Sequence, residues 1–157
     1  MKKIFKTLVL AASLATSFTA FAQDQEIRLF SHRGGRLEHD ENTMYAFKKS
    51  YEAGYRGYET DIRLTSDGKL VLFPDNLLDR CTNATGSIEE KTMKEVAAIR
   101  TKEGRPLCTL QEFVDFFKNK HNDDLYIEFE IKTNEKLYTQ EKIEEICDKI
   151  YKMVTAN

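Results

Sequence analysis

From position 125 to 132 apolar and polar residues alternate without a break. Leu125, Ile127, Phe129 and Ile131 take one side, and Tyr126, Glu128, Glu130 and Lys132 the other. A period of two fits a strand and not a helix, and it puts every charge of the run on one face of a sheet. The period then changes. Over 139–154, Ile143, Ile146, Cys147, Ile150, Tyr151 and Val154 recur at helical spacing, so a helix follows the strand, with Cys147 expected as a buried small hydrophobe.

The same strand-then-helix grammar runs upstream. Residues 27–31 read as a short buried strand that stops at the glycines after His32. Residues 43–53 read as a helix with Met44, Phe47 and Tyr51 on one face, Asn42 as its cap and Gly54 just past its end. Strands are predicted over 58–64 and 70–73, separated by Thr65-Ser66-Asp67-Gly68. Thr92 with Glu95, and Thr109 with Glu112, each form a capping box ahead of an apolar helical run. Strands alternating with amphipathic helices specify an α/β architecture. The link between the second and third strands is too short for a crossover helix. A hairpin centred on Ser66-Asp67 would set position 59 against 74 and 61 against 72. A parallel return would bring residue 74 to the same end as Asp61.

Lys2, Lys3 and Lys6 precede an apolar run from Leu8 to Ala20, and Ala20-Phe21-Ala22 supplies small residues at a cleavage site. The run is too short, and too rich in Ser, Thr and Ala, for a membrane span, and no cysteine follows it to carry a lipid. Cleavage after Ala22 is predicted, leaving one domain over 23–157 in a secreted or periplasmic setting with no stable membrane anchor; retention of the uncleaved segment is the alternative. The segment holds three lysines and no acid, so the net charge of −2 becomes −5 for the remainder. That excludes a basic nucleic-acid-binding face as the main feature. The three cysteines have no CxxC spacing, which points away from zinc.

Glu59 and Asp61 lie two apart on a predicted strand, so both side chains share a face. Two carboxylates side by side repel unless a cation or proton stands between them, and hard oxygen ligands suit magnesium or calcium. Glu130 can complete such a site, with Lys132 beside it. The plainer alternative is a solvated sheet face. His32, at a strand end before two glycines, is placed either to move a proton or to cap loop carbonyls. Arg33 offers a planar fork to a phosphate oxygen, or an ion pair to Glu41 or Glu59. Glu128 is read as a structural partner of Arg33 or Lys132.

Three strings carry a resemblance: SHRGGRLEHDENTMYAF over 31–47, YETDIRLTSDGKLVLFPDNLLDR over 58–80 and IEFEIK over 127–132. Together they resemble the glycerophosphodiester phosphodiesterase family, with its HRG motif, PENT-like helix start, ExD pair, FHD segment and final ExK. The resemblance implies a TIM-type (β/α) barrel of the PLC-like phosphodiesterase kind, of which this chain has the length of about half. It implies a divalent cation, Ca2+ or Mg2+, on Glu59, Asp61 and Glu130. His32 is then catalytic, and Arg33 and Lys132 contact phosphate. The substrate is a small glycerophosphodiester, cleaved to glycerol 3-phosphate and an alcohol. Two departures stand out. Pro74 replaces the second histidine, and proline neither donates nor accepts a proton; Asp40 replaces the proline of the helix start and can cap in its stead. His39 lies near enough in sequence to be weighed as a substitute. A full barrel takes about 250 residues, so a half barrel leaves open sheet edges that invite self-association. Truncation or decay of a barrel is expected over a designed half barrel. The alternative to an active hydrolase is an impaired phosphodiester-binding protein or an inactive fragment.

Overall fold

The computed structural model describes residues 27–120, 124–134 and 138–156. The signal-like segment and its cleavage position lie outside the described residues. At the centre is β2 (Gly57–Leu64), all eight residues of which are buried. One of its edges is shared. β1 (Phe30–His32) runs parallel to its first half, pairing His32 with Glu59, and β3 (Leu70–Leu72) runs antiparallel to its second half. The other edge takes β5 (Tyr126–Ile131) in parallel, pairing Asp61 with Glu130. β4 (Cys108–Thr109) extends the sheet beyond β3. Three parallel strands whose outer layer is helical make a partial (β/α) barrel, as the alternating pattern predicts.

The helices are α1 (Met44–Glu52), the short α2 (Met93–Val96), α3 (Leu110–Lys118) and α4 (Gln140–Thr155). Both capping boxes form, on Thr92 with Glu95 and on Thr109 with Glu112. The main core lies between the sheet and the helices. Tyr58, Ile62, Leu64, Leu70 and Leu72 from the strands meet Phe47, Phe113, Phe117, Ile146 and Ile150. A second core of Val71, Phe73, Leu78, Ile88, Val96 and Ile99 fills the other face of the hairpin, under the long 74–107 connection.

Several expectations are corrected. The hairpin is antiparallel, but one residue out of the expected register: Ile62 faces Leu72 and Arg63 faces Val71. The cause is a three-residue loop, Ser66-Asp67-Gly68. It is closed by Thr65 N–H on the Lys69 carbonyl at 2.8 Å, with Gly68 at φ +76. A slip of one residue reverses which face a side chain takes. Asp61 therefore pairs through its carbonyl with Phe73 N–H, and Pro74 does not stand across from Glu59. β1 begins later than expected, and only Ser31 of it is buried; Ile27 and Leu29 are exposed, since among the described residues β1 has a strand on one side only. Thr43, and neither Asn42 nor Asp40, caps α1. Cys147 is exposed, with Tyr151 and Val154. Ile146 and Ile150 face the core, Cys147 and Tyr151 lie one residue further round the helix, on its flank, and Val154 falls in its last turn.

Candidate metal and phosphate site

The strand pairing brings three carboxylates to one place. Glu59 and Asp61 project from one face of β2, and parallel pairing lays Glu130 beside Asp61. Each offers an oxygen within 4.8 Å of the others. Glu59 and Asp61 are buried and Glu130 is exposed. Lys132 Nζ lies 3.0 Å from Asp61 Oδ1 and also contacts Glu130, and Arg33 Nε lies 2.8 Å from Asp61 Oδ2. Neither contact to Asp61 meets hydrogen-bond geometry, so they act as charge pairs. Glu59 Oε1 and Asp61 Oδ1 are buried without accepting any hydrogen bond. For Glu59 Oε1 that is a desolvation cost a bound cation would offset, whereas Asp61 Oδ1 already has the Lys132 ammonium against it. The donor set, all carboxylate oxygen, fits calcium or magnesium.

The HRG turn places the remaining groups. Arg33 has φ +56, an uncommon conformation for a side-chain-bearing residue. Its N–H donates to both the carbonyl and the Oε2 of Glu59, and its carbonyl accepts from Asn42 N–H at 2.9 Å. Gly34 makes the turn possible: a Cβ there would come within 2.8 Å of the Ala46 side chain, at a φ of +78. His32 ends β1 with its side chain half exposed, and its Nε2 lies 3.6 Å from Glu59 Oε2. Arg33 Nη1 donates to Glu41 at 2.9 Å, so the fork meets Glu41 and Asp61 together. The alternative of a side-chain pair with Glu41 is thus realised alongside proximity to the acidic cluster. Arg33 and Lys132 engage these other carboxylates, and Glu128 is exposed at the register position beside Glu59.

Asn42 is a site residue that the sequence reading took for a helix cap. It is 1 % exposed, donates from Nδ2 to Asp61 Oδ2 at 2.8 Å and accepts from Thr60 Oγ1 at 2.8 Å. The available signal was the pair Asn42-Thr43: two cap-type residues stand in succession, and a helix start can use only one. Arg63 and Glu89 were also missed. Their buried ion pair, at 2.7 Å, extends the Glu59–Asp61 face, and Arg63 Nη2 donates to the Pro74 carbonyl at 3.2 Å. Nothing near Glu89 in sequence announces that contact, because it spans 26 positions. Asp40 pairs with Arg105 at 2.9 Å, and His39 packs edge-on against Tyr45 rather than turning to the acidic group.

The charges act on one another. Burial, and then the neighbouring Asp61 carboxylate, push the Glu59 carboxyl above its ordinary value of 4.5, against the opposing pull of Arg33. Burial works against the charged form of Lys132, but Glu130 and Asp61 outweigh it and hold the ammonium charged. For Glu59 the sign follows from linkage. A raised folded value gives stability that is complete below about pH 4.5 and is lost as pH climbs through the raised value. In chelator, the melting temperature of Glu59→Gln minus that of the wild type is expected to grow over that interval. A constant difference across it would remove Glu59 as the strained member of the cluster.

The profile of the glycerophosphoryl diester phosphodiesterase family matches residues 32–155. The chain belongs to that family. A glycerophosphodiester phosphodiesterase of Caldanaerobacter subterraneus is 36% identical to it over 117 residues, 70% of this chain and 47% of the relative. Human glycerophosphodiester phosphodiesterase 1 is 40% identical over 70 residues, 45% of this chain and 21% of the relative. A glycerophosphoryl diester phosphodiesterase from Parabacteroides distasonis has a crystal structure with TM-score 0.63 at 26% identity, covering 83% of this chain and 46% of that one. An Oleispira antarctica phosphodiesterase, solved with the product sn-glycerol-3-phosphate, gives TM-score 0.69 at 23% identity, covering 80% and 52%; that likeness speaks for the fold. The chain thus spans half or less of the length of the curated relatives it matches. The family's TIM-type barrel is present here as a partial sheet.

Proposed function

We propose that this chain carries the phosphodiesterase site of its family and acts on small glycerophosphodiesters, with export directed by residues 1–22. The observation that carries the reading is the meeting of Glu59, Asp61 and Glu130 around the buried, undonated Oε1 of Glu59, with His32 at their rim. A divalent cation held by these three carboxylates would neutralise phosphate charge and polarise a phosphate oxygen. His32 Nε2, half exposed and steadied by Glu59, is placed to move a proton at the scissile oxygen. Water adds across the bond: P–O to the alcohol breaks, P–O to water forms, and a proton reaches the departing alkoxide. Arg33 and Lys132 temper the negative charge of the pocket, and Asn42 fixes the orientation of Asp61.

The alternative of an impaired, ligand-holding protein has its own support in Pro74, which leaves His32 as the one histidine at the site among the described residues. Both readings are tested by following calcium- or magnesium-dependent release of glycerol 3-phosphate from glycerophosphocholine. The hydrolase reading expects His32→Ala to lose about 10²–10⁴ in rate. Equal rates in the variant would remove His32 from the mechanism, and retention of the diester without cleavage by the wild type would favour the binding reading. Self-association belongs to the same proposal, supported by β5 having a strand partner on one edge only among the described residues.

A further inference from the structure

We infer that Arg80 is the residue that meets an anionic oxygen of the incoming phosphodiester, which rests on the phosphodiester reading proposed above. An arriving phosphate needs a cation whose hydrogens are not already engaged. Arg33 is poorly suited. Its side chain is 15% exposed, its Nη1 is held by Glu41 and its Nε lies against Asp61. Lys132 is 21% exposed and lies between Asp61 and Glu130. Drawing either one away would leave buried carboxylates uncompensated.

Arg80 differs in its exposure, although two of its nitrogens are likewise held by carboxylates. Its side chain is 55% exposed, with Nη1 on Glu41 Oε1 at 2.6 Å and Nε on Asp75 Oδ2 at 2.5 Å. Its Nη2 has no hydrogen-bond partner among the described residues. Two carboxylates thus hold the guanidinium in a set orientation while one amino group stays open, which is the state of a pre-organised anion donor. Glu41 ties it to the site, because its other oxygen carries Arg33, which in turn lies against Asp61. The backbone beneath is fixed as well: Leu78, which opens the same turn, is fully buried, and its N–H donates to the Gly86 carbonyl at 2.9 Å. The plain alternative is that Arg80 only braces Glu41.

The two roles separate in a titration of sn-glycerol 3-phosphate into the calcium-loaded full chain, run beside a titration of calcium alone. Arg80→Leu is expected to weaken glycerol 3-phosphate about tenfold. Arg80→Lys, which keeps charge but loses the fork, should weaken it about threefold. Calcium affinity should stay within about twofold in both, because neither variant removes a carboxylate. Unchanged glycerol 3-phosphate affinity in Arg80→Leu would overturn the inference, as would a parallel loss of calcium affinity, the mark of a brace. If the leucine variant does not melt cooperatively, the lysine variant decides, and wild-type affinity there would overturn the inference. A wild-type chain that binds calcium but no glycerol 3-phosphate would instead bring down the phosphodiester reading, and this inference with it.

Discussion

Asp61→Asn is expected to destabilise the protein by about 3 kcal/mol, while Glu59→Gln, two residues away on the same strand face, is expected to cost less than about 1 kcal/mol or to stabilise it slightly. The two carboxylates differ in their company. Asp61 is fully buried and lies against Arg33, Lys132 and the Asn42 amide, so removing its charge takes from two cations of low exposure the buried partner they share, leaving Arg33 only Glu41 and Lys132 only Glu130 as the carboxylates they contact. Breaking a buried pair from one side leaves the other charge uncompensated, and that cost exceeds what the pair contributed. Glu59 has Asp61 beside it and one oxygen without a donor, and burial with that neighbour makes its carboxyl easier to protonate than an ordinary one. Glutamine imitates the protonated form in shape and in neutrality. Thermal melts in chelator separate the two, since about 3 kcal/mol corresponds to roughly 10 °C for a domain of this size. Both substitutions should abolish stabilisation by added calcium. Similar melting temperatures for the two variants would contradict the charge arrangement described for this site.

Pro74→His is expected to raise turnover of glycerophosphodiesters, by as much as about 10²–10⁴, the usual worth of general acid–base assistance, because residue 74 lies beyond the last ladder pair of β3, where the register no longer fixes its face. Position 74 lies two residues beyond the end of β3, and its carbonyl accepts from Arg63. Because that anchor is a backbone group, the substitution retains it. Losing the proline ring costs about 0.4–1 kcal/mol through the unfolded chain, too little to unfold a sound domain. Pro74→Gln is the control, since it restores an N–H and a polar side chain without a group that titrates near neutrality. The measurement is kcat for both variants after each has shown a cooperative melt. Equal values for histidine and glutamine would mean that position 74 does not reach the scissile bond.

The parts of the fold written in local periodicity were legible before the structure. The alternating run that became β5, the two capping boxes and the Gly54 stop at the end of α1 all depend on neighbours within a few residues. What failed depended on one more degree of freedom. Turn length decided the hairpin register, and a loop of three residues where two were expected moved Pro74 out of line with Glu59. At Cys147, a helical stripe wider than its docking face left the flank exposed. The acidic cluster was legible because the ExD spacing and the strand alternation each fix a face, and parallel pairing then aligned Asp61 with Glu130. Asn42, Arg80 and the Arg63–Glu89 pair were not, because their contacts join segments 19 to 39 positions apart, through loops whose course no local pattern specifies.

Calcium titration of the purified chain, read as the melting temperature of the wild type and of Glu130→Gln, tests the shared cation most directly. Glu130 is exposed, so its replacement leaves the core untouched, and the melt in chelator separates the loss of its pair with Lys132 from the loss of the cation. The wild type should melt at rising temperature as calcium increases, gaining about 2.7 kcal/mol at a hundredfold excess over its dissociation constant, and Glu130→Gln should lose most of that gain. A wild-type melt that does not move between micromolar and millimolar calcium, or an equal rise in Glu130→Gln, would contradict it.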